Sequence, residues 1–367
     1  MLQSLEARTW GQLAAFGEDA PLRIEATNSG IDSIRLIDDD RKFVPYVTRS
    51  DANNGLACFT SAKNCEIGSD SGGCITVGLD TQTAFYQPHQ FVTGQNVQVV
   101  TSKHMNEDVA QFLIPILRQQ MTAKFNWGGN GATLGRMKRL SIMLPVTDSG
   151  EPDYGYMAAY AHEKRRAMLS KYRTYMEKRI VELGERVDIP ALGEKKWVAF
   201  SIVDLFSAIV SGKGKGLNHL RKVDKGGIDY IGATNRNNGV LCYVAEDDDS
   251  QSMVLSGNCI GFIKNGDGSA GFAIYKAERF ISSSDVLYGY ADWLNRYTGL
   301  FFVTAQDMIE QKYSHGYKRN RAHLSGDKVM LPVDGAGKPD YGYMEQFAKN
   351  MMLRKYQQYF KFLNERF

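Results

Sequence analysis

The side chains whose types and spacing are best suited to chemistry lie in a basic segment near the end of the chain, residues 312–321. Four cations, two tyrosines and a histidine fall within these ten residues. Lysine and arginine neutralise phosphate groups, and arginine can also donate two hydrogen bonds to the O6 and N7 atoms of guanine. Taken alone, however, such a segment is more often a solvated surface loop. The candidate contact residues are His315, Tyr317, Lys318, Arg319 and Arg321, with Arg319 or Arg321 reading the base.

A second polar segment, residues 124–139, occupies the corresponding place in the first half of the chain. It mixes asparagine, aromatic residues, glycine and cations. Asparagine can pair with the N6 and N7 atoms of adenine, and glycine permits close approach of the backbone to a ligand. Asn126 or Asn130 would make the adenine contact. The candidate residues are Asn126, Trp127, Asn130, Arg136, Lys138 and Arg139.

A third basic patch lies between Ser211 and Val223, a stretch that contains no acidic residue. Its cations favour contact with phosphate over the reading of bases, and a solvated loop is again the alternative. The candidate residues are Lys213, Lys215, His219 and Arg221.

No other grouping indicates a catalytic or metal site. Residues 151–154 and 338–341 come nearest to the Asn/Asp-Pro-Pro-Tyr/Phe motif of amine methyltransferases, but each has a single proline. Gly212–Gly216 lacks the spacing of a phosphate-binding loop. The six histidines are scattered, and none of the five cysteines lies in a Cys-x-x-Cys pair. We therefore predict that the chain is not an enzyme and holds no metal or cofactor.

Composition excludes further classes. Lys and Arg number 44 and Asp and Glu 41 in 367 residues, so the net charge of +3 excludes a polycation but not local basic surfaces. No apolar run approaches the roughly 20 residues that span a bilayer, and the N-terminus lacks the apolar region of a secretion signal. We expect a cytoplasmic protein that does not bind a membrane.

The chain is an internal duplication. Residues 143–157 return as residues 330–344, with 11 of 15 positions identical at an offset of 187, and Trp10 matches Trp197 at the same offset. Chance does not produce such agreement. The chain therefore consists of two copies of one unit, each of about 185 residues.

Short apolar runs separated by Gly, Asn and Asp predict strands joined by tight turns in each copy. The clearest runs are 42–48, 73–77, 95–100, 227–231 and 261–264. Residues 107–121 and 289–297 predict helices. This pattern indicates a strand-rich, mixed α/β fold in each copy.

Small repeated residues of the two copies are predicted to have structural roles, because residues that read different sequences ought to differ between repeats. Asn53–Asn54 and Asn237–Asn238 are assigned to turns with positive φ. The repeated cysteines, Cys58 with Cys242 and Cys74 with Cys259, are assigned to buried strand positions.

A long amphipathic helix follows each copy of the Pro-Asp-Tyr-Gly-Tyr-Met segment. Apolar residues recur at i, i+3 and i+4 from Met157 and from Met344, and Asp153 and Asp340 can cap the two helices. We expect the helices to pair antiparallel as a spacer, with packing of each helix on its own domain as the alternative. The predicted domains are 1–150 and 191–337, with spacer helices in 151–190 and 338–367.

These features together resemble the specificity subunits of restriction–modification systems. The similarity lies in Trp197–Phe206, Gly212–Gly214, Gly227–Ile231 and Asn237–Gly239, and in the closing Met-Leu-Pro-Val and Pro-Asp-Tyr-Gly-Tyr-Met segments before each helix. It covers essentially the whole chain, including the tandem order of recognition domain and helix. The first copy matches less well, because it departs at its opening and carries acidic residues at 38–40.

The resemblance implies a non-catalytic reader of double-stranded DNA with two target-recognition domains, and it favours DNA contact for the three basic segments. It also implies two copies of a methyltransferase or fused methyltransferase–nuclease partner, which would use S-adenosylmethionine and Mg²⁺. The helices are short for a type I system, which favours a type IIB system. A tandem binding module for protein or glycan, and an orphan restriction inhibitor that mimics a subunit, are the alternatives.

Overall fold

The computed structural model describes residues 2–39, 41–125, 131–213, 216–266, 268–313 and 316–366. It consists of two compact units, Met1–Tyr172 and Arg173–Phe367. The candidate residues Asn126, Trp127, Asn130, Lys215 and His315 lie outside the described residues.

The first unit contains nine strands and three helices within its described residues. The strands are β1 (Trp10–Ala14), β2 (Arg23–Ala26), β3 (Lys42–Val47), β4 (Leu56–Ser61), β5 (Cys74–Gly78), β6 (Ala84–Gln87), β7 (Val92–Thr93), β8 (Val97–Thr101) and β9 (Ser141–Pro145). The helices are α1 (Glu107–Lys124), α2 (Leu134–Met137) and α3 (Tyr154–Leu183), the last of which continues into the second unit.

Three sheets organise the first unit. An antiparallel sheet has the strand order β2-β8-β5-β6, a second has the order β4-β3-β7 with β3 and β7 parallel, and β1 pairs with β9. Helix α1 begins because the Asn106 side chain accepts a hydrogen bond from the Val109 backbone N–H. Its buried face, which includes Leu113 and Leu117, joins the main apolar core with residues of the first sheet.

The second unit repeats this plan. Its strands are β10 (Trp197–Ser201), β11 (Ala208–Ser211), β12 (Lys222–Val223), β13 (Ile228–Ile231), β14 (Val240–Val244), β15 (Cys259–Ile263), β16 (Ala273–Lys276), β17 (Phe280–Ser282), β18 (Val286–Tyr290) and β19 (Lys328–Pro332). Its helices are α4 (Asp248–Gln251), α5 (Arg296–Gln306), α6 (Arg321–Ser325) and α7 (Tyr341–Arg366). The sheets have the orders β11-β18-β15-β16, β12-β14-β13-β17 and β10-β19.

The predicted mixed α/β fold with two repeated domains is confirmed. The Asn-Asn-Gly segments after β3 and β13 are turns in which the backbone is left-handed, with φ of 50° at Asn53, 55° at Asn54, 48° at Asn237 and 50° at Asn238. Asparagine tolerates this conformation better than most residues, which explains why both copies keep it.

Two predictions for local structure are wrong. Residues 289–297 are not one helix, because Gly289 and Tyr290 pair with β11 as the end of β18, and α5 begins only at Arg296. Cys58 is exposed rather than buried, because it lies on β4 at the edge of its sheet, and Cys242 is half-buried. Cys74 and Cys259 are buried as predicted.

Within the second unit, the end of α3 contacts α7. The ring of Tyr175 lies 6.3 Å from that of Tyr356, and the guanidinium of Arg173 lies 5.6 Å from the ring centre of Phe360. The residue with the lower number on α3 contacts the residue with the higher number on α7, so the two helices are antiparallel where they meet.

Candidate nucleic-acid interface

The two repeated tryptophans hold the start of each unit in the same way. Trp10 and Trp197 each donate an indole hydrogen bond of 2.9 Å to the carbonyl oxygen five residues earlier. Their rings stack on Phe112 and Phe301, at centroid distances of 6.4 and 6.2 Å. The residues that the duplication preserves therefore build the frame of each unit.

The repeated aspartates also have equivalent roles. Asp153 and Asp340 accept hydrogen bonds of 2.9 and 3.0 Å from the backbone N–H groups of Tyr156 and Tyr343, which confirms their prediction as helix caps. Each also forms an ion pair with a cation that precedes its tryptophan by two residues, Arg8 in one unit and Lys195 in the other. The shared motif thus ties each long helix to the first strand of its unit.

The sequence does not reveal that part of the basic segment of the second unit lies in the protein interior. Arg319 is fully buried, and so it is not available to contact a base. Its Nε lies 2.8 Å from Oδ2 of Asp327, and its Nη1 donates to the Gly271 carbonyl at 2.9 Å and to Gln306 Oε1 at 2.7 Å. The prediction that Arg319 contacts DNA is therefore corrected: the side chain belongs to the interior.

The carboxylate of Asp327 also contacts two other polar side chains near Arg319. The Tyr313 hydroxyl donates to its carboxylate at 2.8 Å, and Lys312 Nζ lies 2.8 Å from Oδ1. Burial lowers the pKa of Arg319, although Asp327 and Tyr313 oppose that effect. Burial, and then the adjacent Asp327, raise the pKa of Tyr313. Several hydrogen bonds offset the cost of burying this ion pair, since Arg319 donates to three acceptors and the Asp327 carboxylate receives Arg319, Tyr313 and Lys312.

The exposed face of the same segment includes Tyr317, Lys318 and Arg321, beside Lys312, which is exposed although its Nζ is paired with Asp327. The Tyr317 ring stacks between Tyr313, at 5.7 Å, and His323, at 4.5 Å. Arg321 donates a hydrogen bond of 3.1 Å to the Ile209 carbonyl and leaves further N–H groups exposed. Besides Lys312, the described segment therefore presents two cations and an aromatic ring on a surface that packs on the buried groups around Asp327.

The described end of the first-unit segment also presents cations. Arg136 and Arg139 line an open cleft of about 570 Å³ with Thr133 and Gly135, and Arg136 Nη1 donates to the Gly131 carbonyl at 3.0 Å. Lys138 lines a different cleft of about 640 Å³, whose other residues include the acidic Glu18, Asp19 and Glu25. The structure thus brings Arg136 and Arg139 together and places Lys138 on another side.

The third patch has an acidic neighbour that lies far from it in the sequence. Lys213, His219 and Arg221 are exposed, but Arg221 lies 3.9 Å from the Asp247 carboxylate. A stretch without acidic residues is therefore not a surface without them. Such an exposed, long ion pair contributes little to stability and leaves the arginine free to exchange partners.

Sequence reasoning missed Asp327, Tyr313 and Gln306, which together hold the basic segment of the second unit. The duplication contained the signal. At an offset of 187, Arg319 aligns with Ala132 and Asp327 with Leu140, both buried. Charged residues at two positions that are apolar in the other copy indicate a buried pair.

Two further features bear on function. Among the described residues, no group of three or more His, Cys, Asp or Glu side chains could hold a metal ion. In the same part of the chain, no helix has the length and apolarity required to cross a membrane.

Comparison with known proteins identifies the class. The family described as the type I restriction modification DNA specificity domain matches the chain twice, at residues 31–163 and 194–359. A curated relative from Heyndrickxia coagulans, the "Type II restriction enzyme BgcI specificity subunit S.BcgI", is 30% identical over 316 residues, which are 84% of this chain and 85% of the relative. The chain belongs to this family: it is a specificity subunit of a restriction–modification system, with two tandem target-recognition domains.

Solved structures of this class are also similar. The S subunit of a type I system from M. genitalium aligns with a TM-score of 0.48 and 14% identity, over 99% of this chain and 94% of that chain. The HsdS subunit from Thermoanaerobacter tengcongensis aligns with a TM-score of 0.29 and 12% identity, over 97% of this chain and 91% of that chain.

Proposed function

We propose that this subunit reads a bipartite, asymmetric target in double-stranded DNA, with one half-site for each unit. The proposal is carried by one observation: the two units share their structural contacts but differ in their candidate contact surfaces. Both units keep the same tryptophan and aspartate contacts, yet their basic segments differ in charge, aromatic content and interior packing. Two readers with equal frames and unequal contact surfaces bind unequal half-sites.

The exposed cations supply the contacts. In the second unit, Arg321 is the candidate for guanine, since its remaining N–H groups can make a bidentate contact, and Lys318 is the candidate for phosphate. In the first unit, Arg136 and Arg139 flank one cleft and are assigned to phosphate or base. Lys213 and His219 are assigned to phosphate. Lys138, beside acidic groups, is the weakest candidate in the described part of the chain.

The chemistry of restriction and modification belongs to partner subunits in this proposal. We place two copies of a methyltransferase, or of a fused methyltransferase–nuclease, on the exposed faces of α3 and α7, with S-adenosylmethionine and Mg²⁺ bound by those partners. The relative named as part of a type II restriction enzyme favours a type IIB arrangement over type I. The assembly would act on DNA in the cytoplasm.

Methylome sequencing tests the proposal. A host that expresses the chain with its neighbouring methyltransferase should acquire one methylated motif with two unlike halves and an unspecified gap. A matched host with the methyltransferase alone is the control. Absence of any bipartite methylated motif would contradict the proposal.

Salt dependence tests the DNA contacts separately. The affinity of the full chain for a duplex that carries the motif should fall steeply as salt rises, with a log–log slope of about −0.9 for each neutralised phosphate. Lys318→Ala should weaken binding to all sequences and reduce the slope by about 1. Lys355→Ala, an exposed lysine on α7, is the control. A binder of protein or glycan would show little response to salt.

A further inference from the structure

The two units place the same backbone around different interior side chains. The backbone N–H of Arg319 donates to the carbonyl of Lys264, the residue after β15, at 2.9 Å. In the first unit, the N–H of Ala132 donates to the carbonyl of Leu79, the residue after β5, at 3.0 Å. The two positions are therefore equivalent in structure as well as in sequence.

The partner positions are equivalent too. The carbonyl of Asp327 accepts from the N–H of Ile202 at 3.0 Å, and the carbonyl of Leu140 accepts from the N–H of Ala15 at 2.8 Å. Ala132, Leu140, Arg319 and Asp327 are all buried. An alanine and a leucine thus build in one unit the frame that contains a buried ion pair in the other.

The backbone hydrogen bonds of this frame therefore occur with either pair of side chains. Apolar side chains pack in several ways, whereas a guanidinium with fixed donor directions accepts few arrangements. Arg319 donates to three fixed acceptors: the Asp327 carboxylate, the Gly271 carbonyl and the Gln306 amide oxygen. The ring centres of Phe262 and Tyr313 also lie 5.1 and 5.5 Å from its central carbon. The pair therefore selects one conformation of the chain around residue 319.

The side chains next to Arg319 are those on the exposed face. Lys318 precedes it, and its carbonyl oxygen lies 2.6 Å from Nδ1 of His323. Tyr317 stacks on Tyr313, whose hydroxyl is bonded to Asp327. A shift of Arg319 would move both Lys318 and Tyr317, because one is joined through the backbone and the other through the Tyr313 ring.

We propose that Arg319 and Asp327 are positioning residues that set the half-site sequence read by the second unit, by fixing how Tyr317, Lys318 and Arg321 meet DNA. This inference rests on the proposed DNA contact of that surface. Neither Arg319 nor Asp327 touches DNA. A buried pair used for conformational selectivity, at a place where an apolar pair also builds the frame, distinguishes this role from a purely structural one.

The test replaces the two buried side chains of the second unit by those at the equivalent positions of the first. The double variant Arg319→Ala with Asp327→Leu installs the side chains of the first unit and leaves no unpaired charge from the pair. The full-length chain, co-expressed with its methyltransferase, is used to select from a duplex library in which both half-sites are randomised. We expect unchanged base preference in the first half-site and a loss of about tenfold or more at one or more positions of the second, the size of a displaced bidentate contact.

Thermal unfolding separates positioning from folding. The double variant should unfold in one cooperative transition, at a melting temperature somewhat below that of the wild type but well above the temperature of the selection. Lys328→Ala, an exposed neighbour of Asp327, should change neither the melting temperature nor the preference. If the double variant is unfolded, Arg319→Lys replaces it, since lysine retains the charge but lacks the planar set of donors. A folded variant, double or lysine, that selects the wild-type second half-site would overturn the inference.

The outcomes also distinguish this inference from the proposed function. A wild-type chain that selects no motif contradicts the proposed function. A wild-type chain that selects two half-sites, with a folded variant that loses preference equally in both, contradicts the positioning role alone.

Discussion

The interior of the first unit is neutral at two places where that of the second unit is ionic. Ala132 and Leu140 correspond to Arg319 and Asp327. On the neighbouring strands, Gln87 pairs with Cys74 across β5 and β6, while Lys276 pairs with Cys259 across β15 and β16. The buried Lys276 forms an ion pair of 2.7 Å with the half-buried Asp229. The frame is unaffected by either exchange.

The two copies have kept some contacts and changed others. Contacts shared by both copies lie at the junction of strand, tryptophan and helix, where any change would affect the whole unit. The exchange of Ala132 and Leu140 for Arg319 and Asp327 lies within or beside the candidate contact segments, at positions that are buried in both units.

The largest expected effect is that of breaking the second-unit ion pair on one side. Asp327→Leu leaves Arg319 buried without its main partner and should lower the free energy of unfolding by about 3–5 kcal/mol. The double variant with Arg319→Ala should recover most of this loss. Hydrogen exchange of β19 and α5, followed by mass spectrometry, reports on the second unit separately. Equal losses in the single and double variants would show that size, and not unpaired charge, is decisive.

A smaller effect on the free energy of unfolding is expected at a position where one unit has a glycine and the other has an alanine. Counted from the capping residues Asn106 and Asn295, Gly299 of α5 corresponds to Ala110 of α1, since each donates its backbone N–H to the carbonyl of its capping asparagine. A Cβ at Gly299 would lie 2.4 Å from the Tyr275 ring. Gly299→Ala should therefore cost about 1–3 kcal/mol through overpacking, despite the better helix propensity of alanine. Ala110→Gly should cost about 1 kcal/mol through propensity. Urea denaturation of both variants checks the order, and a stabilising Gly299→Ala would contradict it.

The asparagines that cap α1 and α5 should differ less in their contributions to the free energy of unfolding. Asn295 accepts hydrogen bonds from the N–H groups of Tyr297 and Thr298 and donates one of 2.9 Å to Glu345, whereas Asn106 accepts only one that the structure records, from Val109. Replacement of either asparagine by alanine should cost about 1 kcal/mol, with the greater loss at Asn295. Thermal denaturation of the two variants measures the difference. A greater loss at Asn106 would be evidence against the contact-based ranking.

The smallest effect is pH-dependent and concerns Asp340. Burial alone would raise its pKa, but hydrogen bonds from Lys195 and the Tyr343 backbone lower it overall. A carboxyl group with a lowered pKa stabilises the fold above its ordinary value of 3.8, and this contribution disappears as the pH falls through the folded-state value. Asp340→Asn, which retains a cap, should cost about 0.2–1 kcal/mol at pH 7 and nothing in strong acid. A pH-independent difference would exclude this charge effect, and Lys195→Ala should reproduce the dependence.

The repeat pattern predicted much of the fold, because positions fixed by backbone requirements recur in both copies. The Asn-Asn-Gly turns and the caps at Asp153 and Asp340 are examples. The start of α5 was misplaced because β18 and the helix that follows are both apolar, so that periodicity alone does not separate them.

The candidate surface was less accessible to sequence reasoning. An arginine among polar neighbours resembles a surface residue, and only the fold brings Asp327, Gln306 and Gly271 around Arg319. Likewise, Arg221 and Asp247 are separated by 26 residues and meet only in space. Pairing over such distances is a property of the tertiary structure.

The buried cysteines offer a chemical probe of each unit. Cys74 and Cys259 occupy equivalent strand positions, and burial raises the pKa of each thiol to about 12, so neither reacts readily while its unit is folded. Cys58 is exposed and open to alkylation in the native chain. After Cys58 and the half-buried Cys65 and Cys242 are blocked, the rates at which reagents modify Cys74 and Cys259 would time the opening of the first and second units independently, in a single unmutated protein.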